Sequence, residues 1–156
     1  MKPNSTIKEQ SLNPQLNGRS QSQVVDAAET LDDRLLLALH AAGEKKAIEI
    51  VILDLRDVAT FTDYFVITSG ANERQVQAIS DGISETLKKA GSAAARVEGY
   101  KTAEWILLDY GDFVVHVFEQ KARSFYDLER LWRAARRVVL PPEFDPESVS
   151  SLRRES

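Results

Sequence analysis

The sequence predicts an α/β domain in which a single small mixed β-sheet of about five strands carries helices packed on it, an α+β layered arrangement. Apolar stripes with helical spacing alternate along the chain with short apolar runs of strand length. Hydrophobic residues make up 43% of the 156-residue chain and charged residues 28%, which is ordinary for a globular protein. A chain of this length suits one domain with its own core.

Two helices are predicted in the first two thirds of the chain. Ser22 is the expected cap of the first, and Gly43 is its expected left-handed C′ residue. Asn72 is the expected cap of the second, which ends at Gly91. Their apolar faces are formed by Val24, Ala28, Leu31, Leu35 and Leu39, and by Val76, Ile79, Ile83 and Leu87.

Strands and a last helix account for most of the remaining apolar residues. Asp63 shapes the turn between the first two strands. Ser124, followed by Asp127, is expected to open the last helix. The predicted strands are 47–55, 64–68, a short one at Val97, 106–110 and 113–119. The last helix is expected to bury Leu128, Leu131, Trp132 and Ala135.

Both ends of the chain differ in composition from its middle. Residues 1–21 are rich in Ser, Asn, Gln and Pro, and they are predicted to be a disordered leader. The folded domain is placed at 22–140, and Pro141-Pro142 begins a tail, 141–156, that is expected to be flexible. With neither a signal peptide nor a membrane-length apolar run, the protein is expected to be cytoplasmic and not bound to a membrane.

The composition also excludes several kinds of functional site. The chain has no cysteine, which excludes disulfides, thiolate catalysis and cysteine-based zinc sites. His40 and His116, its two histidines, lie on different predicted elements, so no metal site, cofactor or catalytic group is expected. The net charge of −4 argues against a general binder of nucleic acid and permits a basic protein partner.

Gly111-Asp112 predicts a β-hairpin, because glycine at the first central position suits a type II′ turn. That turn pairs Trp105 with Phe118 and Leu107 with His116, and side chains then alternate between two faces. The first face is expected to be core and comprises Ile106, Leu108, Tyr110, Phe113, Val115 and Val117. The second face comprises Trp105, Leu107, Asp109, Val114, His116 and Phe118.

Two interpretations of the second face stay open from the residues alone. Either helices cover it and Trp105 with Phe118 forms a buried aromatic pair, or the part near Trp105 and Asp109 is open and receives a partner. For His116, a hydrogen-bonded core residue is favoured over a catalytic base.

Several charged and aromatic residues have plain structural explanations. Arg74 and Arg123 are expected to pair with nearby carboxylates, while Tyr126 and Trp132 are expected to be core. Acidic residues outnumber basic ones between Glu98 and Arg130, giving that stretch a net charge of −3. Such a surface is usually just solvated, but it also suits docking to a basic protein.

Two blocks of residues carry a resemblance to a known family. The first runs from Glu98 to Trp132, reading EGYKTAEWILLDYGDFVVHVFEQKARSFYDLERLW. The second consists of Asp63-Tyr64-Phe65-Val66-Ile67, Thr68, Gly70, Arg74, Val76 and Ile79. Over roughly residues 28–135 the chain resembles the ribosomal silencing factor family, the Iojap-like proteins.

This resemblance implies a fold and a partner. It implies a nucleotidyltransferase-like topology, and binding to the large ribosomal subunit through its protein uL14, which would block joining of the small subunit and repress translation. It also implies a homodimer of the free protein, and it favours partner contact for Trp105 and a core position for Phe118. The candidate partner-binding residues are Trp105, Asp109, Asp112, Glu98, Glu104, His116, Arg74 and Tyr64.

The alternatives are a nucleotidyltransferase-like enzyme, a ribosome assembly factor and a direct RNA binder. Residues 68–70 (Thr-Ser-Gly) superficially resemble a nucleotidyltransferase turn, but no predicted strand carries Asp-x-Asp, and the nearest acids are Asp54 and Asp57. Arg133, Arg136 and Arg137 are expected at a helix C-terminus, where they complement the helix dipole and could also contact ribosomal RNA when docked.

Overall fold

A mixed sheet of six strands lies at the centre of the computed structural model, which describes residues 31–144. The helices are α1 (Asp33–Glu44), α2 (Glu73–Lys89), α3 (Gln120–Tyr126) and α4 (Leu128–Leu131). The strands are β1 (Ile48–Asp54), β2 (Tyr64–Gly70), β3 (Arg96–Glu98), β4 (Trp105–Asp109), β5 (Phe113–Glu119) and β6 (Arg136–Arg137). Their order is β3-β4-β5-β2-β1-β6, with β2 and β5 parallel and the other pairs antiparallel. The predicted α/β class is confirmed, with β6 as the strand that the sequence did not predict.

The two faces of the sheet are covered unequally. Helices α1 and α2 pack on the first face, where the larger group of buried apolar side chains lies. The second face carries a smaller buried group, covered by the short helices α3 and α4 and their flanking loops. The second face is therefore the less fully covered of the two faces.

Helix α1 differs from its prediction at both ends. Ser22, Val24 and Ala28 lie outside the described residues. The helix that carries Leu35 and Leu39 begins at Asp33, because the Asp32 side chain accepts hydrogen bonds from the backbone N–H groups of Arg34 and Leu35. Gly43 lies inside the helix, and Lys46 beyond it takes the left-handed conformation, with φ of 64°. The expected role of Gly43 as the C′ residue is therefore wrong.

Helix α2 follows its prediction closely. The Asn72 side chain accepts a hydrogen bond from the backbone N–H of Gln75, as expected of a cap. The helix ends at Lys89, and Gly91 has φ of 89° just beyond it. Its expected apolar residues are buried: Val76, Ile79, Ile83 and Leu87.

Strand β1 begins with an irregularity that one arginine stabilises. Glu49 there has φ of 46°, and its carbonyl accepts a 2.8 Å hydrogen bond from Arg123 Nη1, which also reaches the carbonyl of Ile48 at 3.2 Å. The same guanidinium pairs with Glu129, Nε to Oε1, at 3.1 Å. The prediction that Arg123 pairs with a carboxylate is confirmed, and the residue also satisfies backbone groups of a distant strand.

The last predicted helix is broken into two. Glu119, at the end of β5, caps α3 by accepting from the backbone N–H groups of Lys121 and Ala122, so the helix starts before Ser124. Asp127 then takes the left-handed conformation, with φ of 51°, and α4 is a single turn. The predicted start at Ser124 is therefore wrong.

This break changes which side chains are buried. Leu128 is buried, as expected, and Trp132 and Ala135 are half-buried. Leu131 is 73% exposed and Tyr126 is 47% exposed, so both predictions of core positions are wrong. A left-handed residue redirects the chain, and helical spacing across it no longer identifies a common face.

The C-terminal described segment lies along β1 and reaches α1. Arg136 is paired with Asp54 in the sheet, and the Val138 N–H donates to the Ile52 carbonyl at 2.9 Å. Phe144 packs edge-on against the His40 ring, with 5.1 Å between centroids. Arg136 and Arg137 thus belong to an edge strand and not to a helix C-terminus, as the sequence analysis had placed them. Packing continues past residue 140, where the domain was predicted to end.

Replacing Phe144 by Ala is expected to lower the free energy of unfolding by about 1–2 kcal/mol, less than the roughly 3–5 kcal/mol of a fully buried phenylalanine, because this ring is only half-buried. Urea denaturation monitored by circular dichroism measures it. Glu143→Ala, at an exposed neighbouring position, is the control. Equal stabilities of the two variants would show that the segment contributes nothing to the fold.

Candidate functional site

The β4–β5 hairpin has the predicted register. Trp105 is paired with Phe118, and the Tyr110 N–H donates to the Phe113 carbonyl at 2.9 Å. Gly111, at the first central position of the turn, has φ of 85°, which a side chain would disfavour. The expected core face is fully buried beneath α1 and α2: Ile106, Leu108, Tyr110, Phe113, Val115 and Val117.

The second face of the hairpin is partly open. Val114, His116 and Phe118 are buried on β5, whereas Trp105, Leu107 and Asp109 on β4 are only half-buried. The reason is position in the sheet, since β5 is central and β4 lies one strand from the edge. The predicted core position of Phe118 is confirmed.

Trp105 is held in a fixed setting on this face. Its ring packs against Phe118 at 4.8 Å and against Tyr126 of α3 at 5.0 Å between centroids. Its indole N–H donates a 3.0 Å hydrogen bond to Nδ1 of His116. We call Trp105, Phe125 and Tyr126 the aromatic platform, because Phe125 packs edge-on against Tyr126 and is 80% exposed.

His116 is a buried, hydrogen-bonded residue, as the sequence analysis favoured. Burial lowers its pKa to about 4, and since Nδ1 accepts from Trp105, the neutral ring carries its proton on Nε2. Nε2 has no hydrogen-bond partner among residues 31–144. The edge-on ring of Phe65 lies 4.4 Å away, so the imidazole is enclosed by aromatic residues and does not face a substrate.

Acidification is expected to destabilise the protein through His116. Its pKa is lowered from 6.5 to about 4 in the folded state, so the unfolded chain binds more protons between these values and the free energy of unfolding falls as pH falls through them. Urea unfolding of the wild type and of His116→Phe at pH 7 and pH 4.5 should show the wild type losing roughly 2 kcal/mol relative to the variant. A constant difference between the two proteins would contradict this.

Some of the predicted acidic residues make hydrogen bonds or ion pairs within the described part of the domain, and Glu104 does not. Asp109 accepts from the Gly111 N–H at 2.9 Å and lies 3.4 Å from Arg96, and Asp112 pairs with Arg34 of α1. Both carboxylates thus stabilise the hairpin turn. Glu104 is exposed and makes no side-chain hydrogen bond or ion pair within the described residues.

Only some of the predicted partner-binding residues lie close to one another. Glu98 pairs with Leu107 across β3 and β4 and so shares the second face with Trp105. Asp109 is on that face but at the other end of β4, about 13 Å from Trp105 along the strand. Tyr64 packs on the first face, beneath the Arg56 guanidinium at 5.3 Å, and is not part of the surface around Trp105.

Arg74 lies at the start of α2, beside a shallow depression lined also by Ala71, Asn72, Glu73 and Glu119. It is exposed and forms no ion pair with a carboxylate in the part of the chain that the structure describes. The prediction that Arg74 pairs with a carboxylate is therefore wrong. Two residues before the buried Val76, it lies on the opposite side of α2 and points toward solvent.

The side chains that a nucleotidyltransferase would use for catalysis make contacts inside the domain. The Thr68 hydroxyl donates to the Ile48 carbonyl at 2.9 Å, and the Ser69 hydroxyl accepts from Arg123 at 3.1 Å. The Asp54 carboxylate lies 2.8 Å from Arg56 and 3.3 Å from Arg136. Within residues 31–144, no three His, Cys, Asp or Glu residues are grouped so that they could hold a metal ion.

Sequence reasoning missed the exposed aromatic residues. Phe125 and Tyr126 were available as a signal, because adjacent residues on a helix point about 100° apart and only one of them can lie at the centre of a buried face. Phe61, 60% exposed, was a second omission; it packs on Trp132 at 5.8 Å. The aromatic surface of the second face is thus larger than the hairpin alone predicts.

Comparison with known proteins identifies the family of this chain. Residues 27–156 match the family model described as "Ribosomal silencing factor during starvation". The chain belongs to the ribosomal silencing factor family. The earlier resemblance is therefore confirmed across the whole described domain.

Relatives and a solved structure agree with this membership. The ribosomal silencing factor of Halalkalibacterium halodurans is 42% identical over 106 residues, covering 68% of this chain and 91% of that protein. The chloroplastic protein Iojap of Zea mays is 37% identical over 116 residues, covering 74% of this chain and 50% of that protein. A crystal structure of a Chromobacterium violaceum protein is similar with a TM-score of 0.63 and 32% identity, covering 69% of this chain and 87% of that one. In residues 31–144 of this silencing factor, no helix is long and apolar enough to span a membrane.

Proposed function

We propose that this silencing factor binds the large ribosomal subunit through its protein uL14, prevents the small subunit from joining, and so represses translation in the cytoplasm. The observation that carries the proposal is the aromatic platform, which is exposed on the thinly covered face of the sheet. An aromatic surface of this kind is typical of binding hot spots, because it offers a large rigid apolar area.

The charge around the platform fits a basic partner. Glu104 and Glu98 are exposed beside Trp105 and Leu107. Glu98 lies 3.3 Å from Arg96, so Glu104 is the carboxylate without a basic neighbour among the described residues. Carboxylates at the rim of an apolar contact steer a basic protein into register and disfavour an acidic one. A specific interface needs about 800 Å² from each partner.

Such a role requires a rigid surface and no chemical step. The carboxylate of Asp54 and the hydroxyls of Thr68 and Ser69, which a nucleotidyltransferase mechanism would use, are committed to internal contacts. We therefore propose steric inhibition without nucleotide or metal, in preference to catalysis.

Sedimentation of the purified protein with separated ribosomal subunits tests the proposal. We expect co-sedimentation with large subunits and not with small ones, and inhibition of subunit joining in the absence of nucleotide. Equal binding to both subunits, or an absolute requirement for ATP and magnesium, would contradict it. Binding to isolated uL14 identifies the partner, while a steep salt dependence of binding to isolated RNA would indicate an RNA contact instead.

Reversing the charge at Glu104 is expected to weaken large-subunit binding about tenfold, since close charge pairs across interfaces couple by roughly 1.5 kcal/mol or more. Within residues 31–144, Glu104→Lys breaks no side-chain hydrogen bond or ion pair, which makes it a cleaner test than substitution of Asp109, whose carboxylate stabilises the turn. Glu85→Lys, exposed on α2, is the charge-matched control. Equal affinity of the two variants would place the interface elsewhere.

A further inference from the structure

The hydrogen bond between Trp105 and His116 has a consequence for binding. The indole has one hydrogen-bond donor and no acceptor, and here that donor is used internally, at 3.0 Å from Nδ1 of His116. A partner that contacts Trp105 in this setting meets only carbon and π surface.

The His116 ring, which accepts this hydrogen bond, is fixed in orientation by its neighbours. His116 is 3% exposed, with its ring edge-on to Phe65 at 4.4 Å and stacked with Phe118 at 6.3 Å between centroids. A ring packed in this way cannot rotate without displacing its neighbours, so Nδ1 remains directed at the indole.

This arrangement leaves the other imidazole nitrogen in an unfavourable environment. Nε2 is buried and has no partner among the described residues. An unpaired buried polar group is unfavourable, and an apolar ring of the same shape would avoid it. The contact that histidine makes here and phenylalanine could not make is therefore the hydrogen bond that Nδ1 accepts from Trp105.

We propose that His116 is a positioning residue for the binding surface. It holds the Trp105 indole against Phe118 and Tyr126 in the orientation that the partner binds, and it removes the indole N–H from the surface. The partner group that docks on the exposed face of Trp105 is then a cationic side chain, because cations bind the faces of aromatic rings. The identity of the partner rests on the proposed function, whereas the geometry of Trp105 and His116 does not.

The geometry is tested without ribosomes by the indole ¹H–¹⁵N resonances of the full-length protein. The chain has two tryptophans, and Trp132→Phe assigns their signals. His116→Phe keeps a ring and removes the acceptor, whereas His116→Asn restores an acceptor near Nδ1. His40→Phe, at the chain's other histidine, is the control. We expect the Trp105 resonance to move or broaden in His116→Phe, to recover in part in His116→Asn, and to stay unchanged in His40→Phe.

Large-subunit affinity completes the test. His116→Phe should bind roughly three- to tenfold more weakly, the effect of losing one orienting hydrogen bond, while its melting temperature stays equal or rises, and His116→Asn should regain affinity. A sharp, unmoved Trp105 resonance in His116→Phe, or full affinity despite a moved one, would overturn the positioning role. Failure of the wild type to bind large subunits would overturn the proposed function and leave the resonance test intact.

Discussion

Large-subunit affinity is expected to fall at least about thirtyfold when Trp105 is replaced by Ala, which corresponds to the roughly 2 kcal/mol or more that a hot-spot residue contributes. The ring is half-buried, so the substitution removes both the exposed surface of the platform and its packing on Phe118. Affinity is therefore to be measured per folded molecule, by sedimentation of samples whose folded fraction is known from circular dichroism.

Ile106→Ala is the matched control, because Ile106 is the next residue of β4 and is fully buried on the first face. This variant should lose about 2–5 kcal/mol of stability as a core truncation and keep its affinity per folded molecule. If Trp105→Ala behaves in the same way, losing stability and no affinity, the second face is core and the interface lies elsewhere.

Replacing Arg123 by Met is expected to lower the free energy of unfolding by about 3 kcal/mol, within the range for removing one partner of a largely buried ion pair. Its side chain is 11% exposed. Its loss leaves Glu129 without its partner and the Glu49 carbonyl without the Arg123 donor, while the Ile48 carbonyl keeps its hydrogen bond from Thr68. Urea denaturation measures the effect.

Arg130→Met is the control for Arg123→Met, since Arg130 is an exposed residue of α4. Arg123→Lys should recover only part of the loss, because an ammonium group cannot reproduce the forked geometry that reaches both the carboxylate and the carbonyls. An Arg123→Met protein as stable as Arg130→Met would show that β1 does not depend on this guanidinium.

Local signals predicted the parts of the fold that depend on neighbouring residues. Asn72 and Gly91 delimit α2 through a cap and a left-handed glycine, and Gly111 set the hairpin register. Each of these features is determined within a few residues, so the sequence contains it directly.

The features that depend on distant residues could not be read in the same way. Glu119 caps α3 because it ends β5 there, and its choice over Ser124 depends on where the strand stops. Asp112 was assigned to a docking surface, yet it pairs with Arg34, which α1 brings to the turn. A local pattern identifies an acidic residue but not whether a distant base already neutralises it.

The two outer strands of the described sheet offer little backbone for pairing with another sheet. Both are short and charged: β3 has three residues, including Arg96 and Glu98, and β6 has the two arginines Arg136 and Arg137. Short charged edges are a common protection against edge-to-edge pairing and the aggregation that follows from it. A crowded solution of this protein should therefore resist growth into extended sheets, and contacts between copies should use side chains and not backbone hydrogen bonds.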